Sequence, residues 1–137
     1  MTGATAEHRH VRRYLPAAHV SLGPGSCAVR DDDGLAEELT TRFGPGILGE
    51  QTTADGITTL WVDAQVIHEV LRVLKHEVRR PFKFLFDLSC IDERLREHRD
   101  DQPVSDFTVF YDVLSFERNA DLRLKVPLRG EYPSVPS

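Results

Sequence analysis

Apolar residues recur along this chain at two spacings, one typical of helices and the other typical of strands. In residues 64–79, apolar residues lie three or four positions apart, which places them on one side of a helix. They are Ile67, Val70, Leu71, Leu74 and Val78. The same spacing links Leu35, Leu39 and Phe43. Gly44-Pro45-Gly46 then ends that pattern, so the chain is predicted to contain two amphipathic helices.

Acidic residues mark the predicted start of each helix. Asp31-Asp32-Asp33 precedes the first helix and Asp63 precedes the second. A carboxylate here accepts hydrogen bonds from free backbone N–H groups and suits the positive end of the helix dipole. The triplet lacks the alternating spacing of a calcium-binding EF-hand loop, so we interpret it as a cap.

Residues further along alternate between apolar and polar with a period of two, which predicts strands. Three such runs cover residues 82–91, 107–116 and 122–128, and their short connections favour an antiparallel meander. Two shorter runs, 47–53 and 57–62, are joined by Ala54-Asp55-Gly56, which predicts a β-hairpin. Trp61, near the end of the second short run, is expected to be a buried or half-buried anchor.

We therefore predict an α+β fold of two layers: a helix, a β-hairpin, a second helix and a three-stranded antiparallel meander. Residues 1–30 would form an N-terminal extension and residues 31–137 the domain. The two helices are expected to cover one apolar face of the sheet. In the first long strand that face would carry five residues, with the cysteine as a buried, inert thiol: Phe82, Phe84, Phe86, Leu88 and Cys90.

The opposite face of the predicted sheet is mixed in character. We expect Leu85, Phe110 and Leu114 to point there among charged neighbours, and we interpret them as a candidate partner interface. Replacing Phe110 with Asp is expected to weaken partner binding more than folding.

Composition and charge narrow the classes of protein that fit. The chain has 137 residues and a net charge of −5, which disfavours nucleic-acid binding. Cys27 and Cys90 lie too far apart in sequence for a metal knuckle and suggest a reducing, cytosolic compartment. The N-terminus lacks the apolar core of a signal peptide, and no run approaches the roughly 20 apolar residues that span a bilayer. Membrane association is expected only through a partner.

Candidate catalytic and metal-binding groups are sparse. His8 and His10 form a His-x-His without further ligands nearby, and His68 and His76 lie two helical turns apart, so solvated histidines are favoured. Asp87, Asp92 and Glu93 lie close in sequence, but Arg94 and Arg96 suggest local ion pairs rather than acid–base catalysis. We predict no catalytic, cofactor-binding or metal residues.

Short segments in the second half of the chain resemble the C subunit of respiratory complex I, also known as the 30-kilodalton subunit, in the bacterial form that is fused to the D subunit. Earlier segments, Arg42-Phe43-Gly44-Pro45 and Leu60-Trp61-Val62, are similar to that form as well. The resemblance covers about residues 35–137, and the family's later signature, rich in Glu-Arg-Glu, His-Pro and Arg-Arg, is absent. The segments are Phe86-Asp87-Leu88, Asp92-Glu93-Arg94-Leu95-Arg96, His98-Arg99, Asp106-Phe107, Val109-Phe110-Tyr111, Leu114-Ser115, Arg118-Asn119, Asp121, Leu124-Lys125-Val126 and Val135-Pro136.

The resemblance implies the N-terminal part of a non-catalytic, peripheral-arm subunit of a proton-translocating NADH:quinone oxidoreductase. Such a component lies on the cytoplasmic side of the bacterial inner membrane and packs against the D subunit and the iron–sulfur B subunit. The FMN and the iron–sulfur clusters are expected in partner subunits, with no cofactor in this chain. It would support electron transfer from NADH to quinone.

Two alternatives stay open from the sequence. One is the equivalent subunit of a membrane-bound hydrogenase or formate hydrogenlyase. The other is a stand-alone interaction domain or an inactive fragment.

Overall fold

The computed structural model describes residues 34–136, so Asp31-Asp32-Asp33, His8, His10 and Cys27 lie outside the described residues. The elements follow the predicted order, with boundaries that differ by a few residues. A 3-10 turn, Gly44–Gly46, links the first helix to the first strand. The helices and strands are α1 (Leu35–Phe43), β1 (Ile47–Gln51), β2 (Thr58–Val62), α2 (Ile67–His76), β3 (Phe84–Asp92), β4 (Phe107–Ser115) and β5 (Ala120–Leu128).

All five strands belong to one sheet, in the order β1-β2-β5-β4-β3. Antiparallel pairing joins β1 to β2, β3 to β4 and β4 to β5. β5 lies parallel to β2, with Leu124 opposite Leu60. The α+β class is confirmed, but the predicted hairpin-plus-meander architecture is wrong, because the parallel β2–β5 pair merges them into one mixed sheet. No local signal marks this pairing, since it joins strands that are about sixty residues apart.

The core lies between the two helices and one face of the sheet. The predicted stripe of α2 is confirmed at Ile67, Val70, Leu74 and Val78, which are buried, whereas Leu71 is only partly buried. The core also contains Val73, which the predicted stripe missed. The remaining buried apolar residues of the core are Leu35, Leu39, Leu60, Val62, Phe82, Val113, Leu122, Leu124, Val126 and Leu128.

The second helix begins later than predicted because Asp63 organises a turn before it. The Asp63 carboxylate accepts a hydrogen bond of 2.7 Å from the Gln65 N–H. The Asp63 carbonyl accepts bonds of 3.1 Å and 3.2 Å from the N–H groups of Val66 and Ile67. Asp63 therefore caps this turn and not the helix as predicted, since α2 starts at Ile67 and its N-cap is Val66, which makes no side-chain capping bond.

The corner between α2 and β3 is held by Arg118, which lies in the β4–β5 turn at the same end of the sheet. Its Nε donates a 2.9 Å hydrogen bond to the Arg80 carbonyl, and its Nη2 donates a 2.5 Å bond to the Arg79 carbonyl. Arg80 has a positive φ of 57°, which is unfavourable for a residue with a side chain. The guanidinium also lies 5.6 Å from the centre of the Phe82 ring. Arg118 thus fixes the backbone just before β3 begins.

Candidate partner-binding surface

The two helices do not cover the whole sheet. A helix with its side chains is about 10 Å wide, and neighbouring strands lie about 4.8 Å apart, so two helices cover about four strands. On β5 the residues facing the helices are buried, whereas on β4 Phe107, Val109 and Tyr111 are only partly buried. β3 is the outermost strand beyond β4 and receives no helical cover.

β3 consequently exposes large apolar side chains. Phe86 is 70% exposed, and Phe84, Leu85 and Leu88 are each about half exposed. Phe116, just after β4, is 80% exposed and its ring centre lies 5.8 Å from that of Phe84. We call these five side chains the edge surface. Large exposed apolar side chains concentrated along one edge strand are typical of protein–protein interaction sites.

The predicted core face of the first long strand is therefore wrong for four of its five residues. Phe82 is buried, but Phe84, Phe86, Leu88 and Cys90 are exposed. The expectation of a buried, inert Cys90 thiol is corrected as well, because this cysteine is exposed. The physical reason is the position of β3 at the sheet edge, which a period-two pattern does not reveal.

A β-bulge also changes which side of the sheet the β3 residues face. The pairing register shifts between Leu85 and Asp87. Before the bulge, Leu85 lies opposite Val113, on the helix-covered side; after it, Leu88 lies opposite Tyr111 on the same side. One extra residue in a strand reverses the alternation that follows it. The consecutive apolar letters of Phe84-Leu85-Phe86 were the available signal of this break.

The bulge separates the three residues of the predicted partner interface. Phe110 and Leu114 are opposite Lys125 and Asp121 on the side away from the helices, which we call the open face. Leu85 lies on the other side of the sheet, so the prediction that all three share the open face is wrong for Leu85. Phe110 and Leu114 are partly buried, whereas Leu85 is 51% exposed and belongs to the edge surface.

The open face carries polar contacts along β5. Arg123 donates hydrogen bonds of 2.8 Å and 3.1 Å to the Asp112 carboxylate and one of 2.9 Å to Asp55. The bond to Asp112 contributes most to raising the pKa of Arg123. A hydrogen bond from the Thr53 side chain, followed by the one from Arg123, holds the pKa of Asp55 well below its ordinary value. This guanidinium links β5, β4 and the β1–β2 turn.

Next to Arg123 on the open face, Lys125 covers Trp61. The Lys125 Nζ donates a 2.9 Å hydrogen bond to the buried Gln51 side chain and lies 5.3 Å from the Trp61 ring centre. Burial lowers the pKa of Lys125. Trp61 is only 2% exposed, so its predicted role as a buried anchor is confirmed.

A groove opens on the same face between β3, β4 and the start of β5. Its volume is about 290 Å³. We call it the acidic groove, because its charged lining residues are two aspartates and a single arginine, beside several apolar side chains. The side chains that line it include Ile57, Phe86, Leu114, Asp112, Asp121 and Arg123.

Two of the acidic residues considered for catalysis, Asp92 and Glu93, form ion pairs with neighbouring arginines. Arg94 pairs with Asp92 at 2.5 Å, and Arg96 pairs with Glu93 at 3.3 Å, which confirms the predicted local ion pairs. The hydrogen bond from Arg94 lowers the pKa of Asp92 to about 2. His68 and His76 are both exposed. Within residues 34–136, no group of three or more His, Cys, Asp or Glu side chains is placed to hold a metal ion.

No helix within the described residues is both long enough and apolar enough to cross a membrane.

The second half of the chain matches a known protein family. Residues 60–137 match the family model described as "Respiratory-chain NADH dehydrogenase, 30 Kd subunit". The chain therefore belongs to this family, and the resemblance stated from its sequence is confirmed.

Individual relatives and a solved structure agree with this family. The chain is 50% identical over 103 residues to the NADH-quinone oxidoreductase C/D subunit of Methylococcus capsulatus, across 75% of this chain and 18% of the relative. It is 52% identical over 103 residues to the protein of the same name from Rhodopseudomonas palustris, with the same coverage of 75% and 18%. The structure titled "Nqo5 of the trypsin-resistant fragment (1-134) in P63 form" has a TM-score of 0.60 at 18% identity, across 75% of this chain and 76% of that one. This last similarity shows the fold.

The chain spans about a fifth of the length of the curated relatives that it matches.

Proposed function

We propose that this chain is a non-catalytic, peripheral-arm component of a proton-translocating NADH:quinone oxidoreductase, which it joins by binding other subunits. It would support electron transfer from NADH to quinone, with FMN and iron–sulfur clusters held by partner subunits. The family membership and the names of the relatives support this proposal over the hydrogenase alternative. The complex would place the chain on the cytoplasmic side of the bacterial inner membrane.

The observation that carries the proposal is the edge surface. A strand with one unpaired edge and large exposed apolar side chains is unfavourable for a domain that stays alone. Phe86 and Leu88 are 70% and 53% exposed, and both lie on the strand whose outer edge has no neighbouring strand in the described sheet. Contact with another subunit would bury these side chains. We propose the D subunit and the iron–sulfur B subunit of the oxidoreductase as the partners.

Co-purification tests this proposal. The full chain carries an affinity tag and is produced in cells that make the oxidoreductase, and the recovered proteins are identified by mass spectrometry. We expect homologues of the D and B subunits. The double variant Phe86→Ser/Leu88→Ser is expected to recover at least about tenfold less of them, since hot-spot side chains contribute roughly 2 kcal/mol or more each.

Leu48→Ser is the matched control, because Leu48 is 43% exposed on β1, at the opposite edge of the sheet. It is expected to recover the same subunits as the unmodified chain. Failure of the folded, unmodified chain to recover either of these two proteins would overturn the proposal and favour a stand-alone domain or an inactive fragment. Equal losses in both variants would move the interface away from β3.

A further inference from the structure

The acidic groove carries more negative charge than the residues around it neutralise. The guanidinium of Arg123 is shared between two aspartates, with its Nε and Nη2 on Asp112 and its Nη1 on Asp55. Asp121 also lines the groove and is exposed. Within residues 34–136 its side chain has no hydrogen bond or ion pair. Three carboxylates with a single cation among them leave two negative charges uncompensated in and beside the groove.

The sheet places the free carboxylate beside an apolar side chain. In the β4–β5 ladder Asp121 lies directly opposite Leu114, and the next pair on the open face is Asp112 with Arg123. Opposite side chains on one face of an antiparallel pair lie about 5 Å apart, and diagonal ones about 7–8 Å apart. Asp121 and Asp112 form such a diagonal pair, and Leu114 neighbours both. A cation above Leu114 would therefore be attracted by both carboxylates.

The apolar part of the groove is incompletely covered. Phe86 is 70% exposed, and Ile57 and Leu114 are partly buried. Phe86 also belongs to the edge surface, so the groove is continuous with the surface that we propose to bind other subunits. A complementary occupant combines a positive charge for Asp121 with an apolar or planar part for the floor.

An arginine side chain fits this combination best. Its planar guanidinium forms two parallel hydrogen bonds with a carboxylate and stacks on an aromatic ring, whereas the lysine ammonium is a compact and strongly hydrated charge. The groove offers both acceptors, a carboxylate at Asp121 and an exposed ring at Phe86. A divalent metal ion fits less well, because no three His, Cys, Asp or Glu side chains of the described residues are grouped to hold one.

We infer that the acidic groove binds an arginine side chain of a partner subunit, with the guanidinium paired to Asp121 and stacked on Phe86. Apolar residues beside that arginine in the partner contact Ile57 and Leu114. This inference rests on the proposed function and deepens it, because it names the chemistry by which a partner is recognised.

Co-purification with variants of Asp121 tests the inference. The tagged full chain is produced in cells that make the oxidoreductase, and the recovered D and B subunit homologues are quantified by mass spectrometry. Asp121→Lys is expected to recover at least about tenfold less of the partner, since like charges across an interface strongly oppose binding. Asp121→Asn keeps the shape of the side chain and is expected to give a smaller loss. Both variants should keep the melting temperature of the unmodified chain, because Asp121 is exposed.

Asp100→Lys is the matched control, since it makes the same change of charge at an exposed position that does not line the groove. It is expected to recover the same amounts as the unmodified chain. Equal losses in Asp100→Lys and Asp121→Lys would reveal a general effect of charge and overturn the inference. Full recovery by Asp121→Lys would overturn the inference and leave the proposed function standing. Failure of the unmodified chain to recover either subunit would overturn the proposed function itself.

Photo-crosslinking identifies the arginine in the partner. The full chain carries benzoylphenylalanine in place of Ile57, in the floor of the groove, and is irradiated within the complex. Mass spectrometry of the crosslinked peptide is expected to find an arginine. Changing that arginine to Glu should restore recovery by Asp121→Lys to within about threefold of the unmodified pair, because the two charges are then exchanged. A crosslinked peptide without arginine, or no restoration by the exchange, would overturn the inference.

Discussion

Arg118 shows how one side chain can stabilise a connection between distant parts of the chain. It follows β4 in sequence, yet its guanidinium donates hydrogen bonds to the carbonyls of Arg79 and Arg80. The Ser115 hydroxyl donates another 3.1 Å bond to the Arg80 carbonyl. These contacts compensate for the positive φ of Arg80, since carbonyls at such a corner lack partners in a helix or a sheet. The start of β3, and with it the edge surface, depends on this residue.

Replacing Arg118 with Ala is expected to lower the free energy of unfolding by about 1.5–3 kcal/mol, because two hydrogen bonds from a charged group are lost and the Arg79 carbonyl loses its donor, whereas the Arg80 carbonyl keeps the bond from Ser115. Urea unfolding followed by circular dichroism measures the change. Arg129→Ala is the control, since Arg129 donates a single 3.0 Å bond to the exposed Val104 carbonyl. A similar loss in both variants would contradict a special role for Arg118.

At the scale of elements, the two helices are joined by a charge network at their ends. Glu77, just after α2, pairs with Arg42 at the end of α1 and, at 2.6 Å, with Arg72 of α2. The hydrogen bond from Arg42, followed by that from Arg72, lowers the pKa of Glu77 from 4.5. A carboxylate with a lowered pKa stabilises the folded state above its unfolded pKa and loses that contribution as the pH falls through its folded pKa.

The melting temperature is therefore expected to fall on acidification from about pH 5 to pH 3, with part of the slope due to Glu77. Glu77→Gln keeps the shape of the side chain but removes its titration, so its melting temperature should depend less steeply on pH in this range. Differential scanning calorimetry at several pH values measures both slopes. Glu97→Gln, at an exposed position in the β3–β4 connection, is the control. Identical slopes in all three proteins would show that Glu77 does not contribute.

At the scale of the whole molecule, the domain is asymmetric. The helices cover one face of the neighbouring strands β1, β2 and β5 and form the core with it. β3, at the far edge of the sheet, extends beyond that cover. The core and the proposed partner-binding surface are thus located in different strands. This separation allows the edge surface to remain apolar without contributing to the folding of the isolated domain.

Mutations should separate the two regions. Phe86→Ser is expected to change the free energy of unfolding by less than about 0.5 kcal/mol, as is usual for exposed positions. Leu124→Ala, at a fully buried position in the central strand β5, should cost about 2–5 kcal/mol. Urea titrations of the two variants give both values. A large loss of stability in Phe86→Ser would mean that β3 belongs to the core.

Some features of this fold could be predicted from single residues and short spacings. The apolar stripe of α2 and the alternation of Leu122, Leu124 and Val126 each describe a face that must be buried. Both the type of these two elements and the side that faces the core could therefore be predicted from the spacing of apolar residues. The faces of β3 could not be predicted in the same way. Its apolar residues look like core residues, because exposure at a sheet edge and a bulge at Leu85–Asp87 are set by neighbouring strands.

The sequence by itself determined the order of the helices and strands, the buried faces of α2 and β5, and membership of the 30-kilodalton subunit family. These depend on local periodicity and on the identity of residues in order. Only the tertiary structure decided that β2 lies parallel to β5, that Phe110 and Leu114 are separated from Leu85, and that carboxylates flank a groove beside Phe86. Strand order, register and cover by helices depend on contacts between residues far apart in the chain, and such contacts leave no periodic signal.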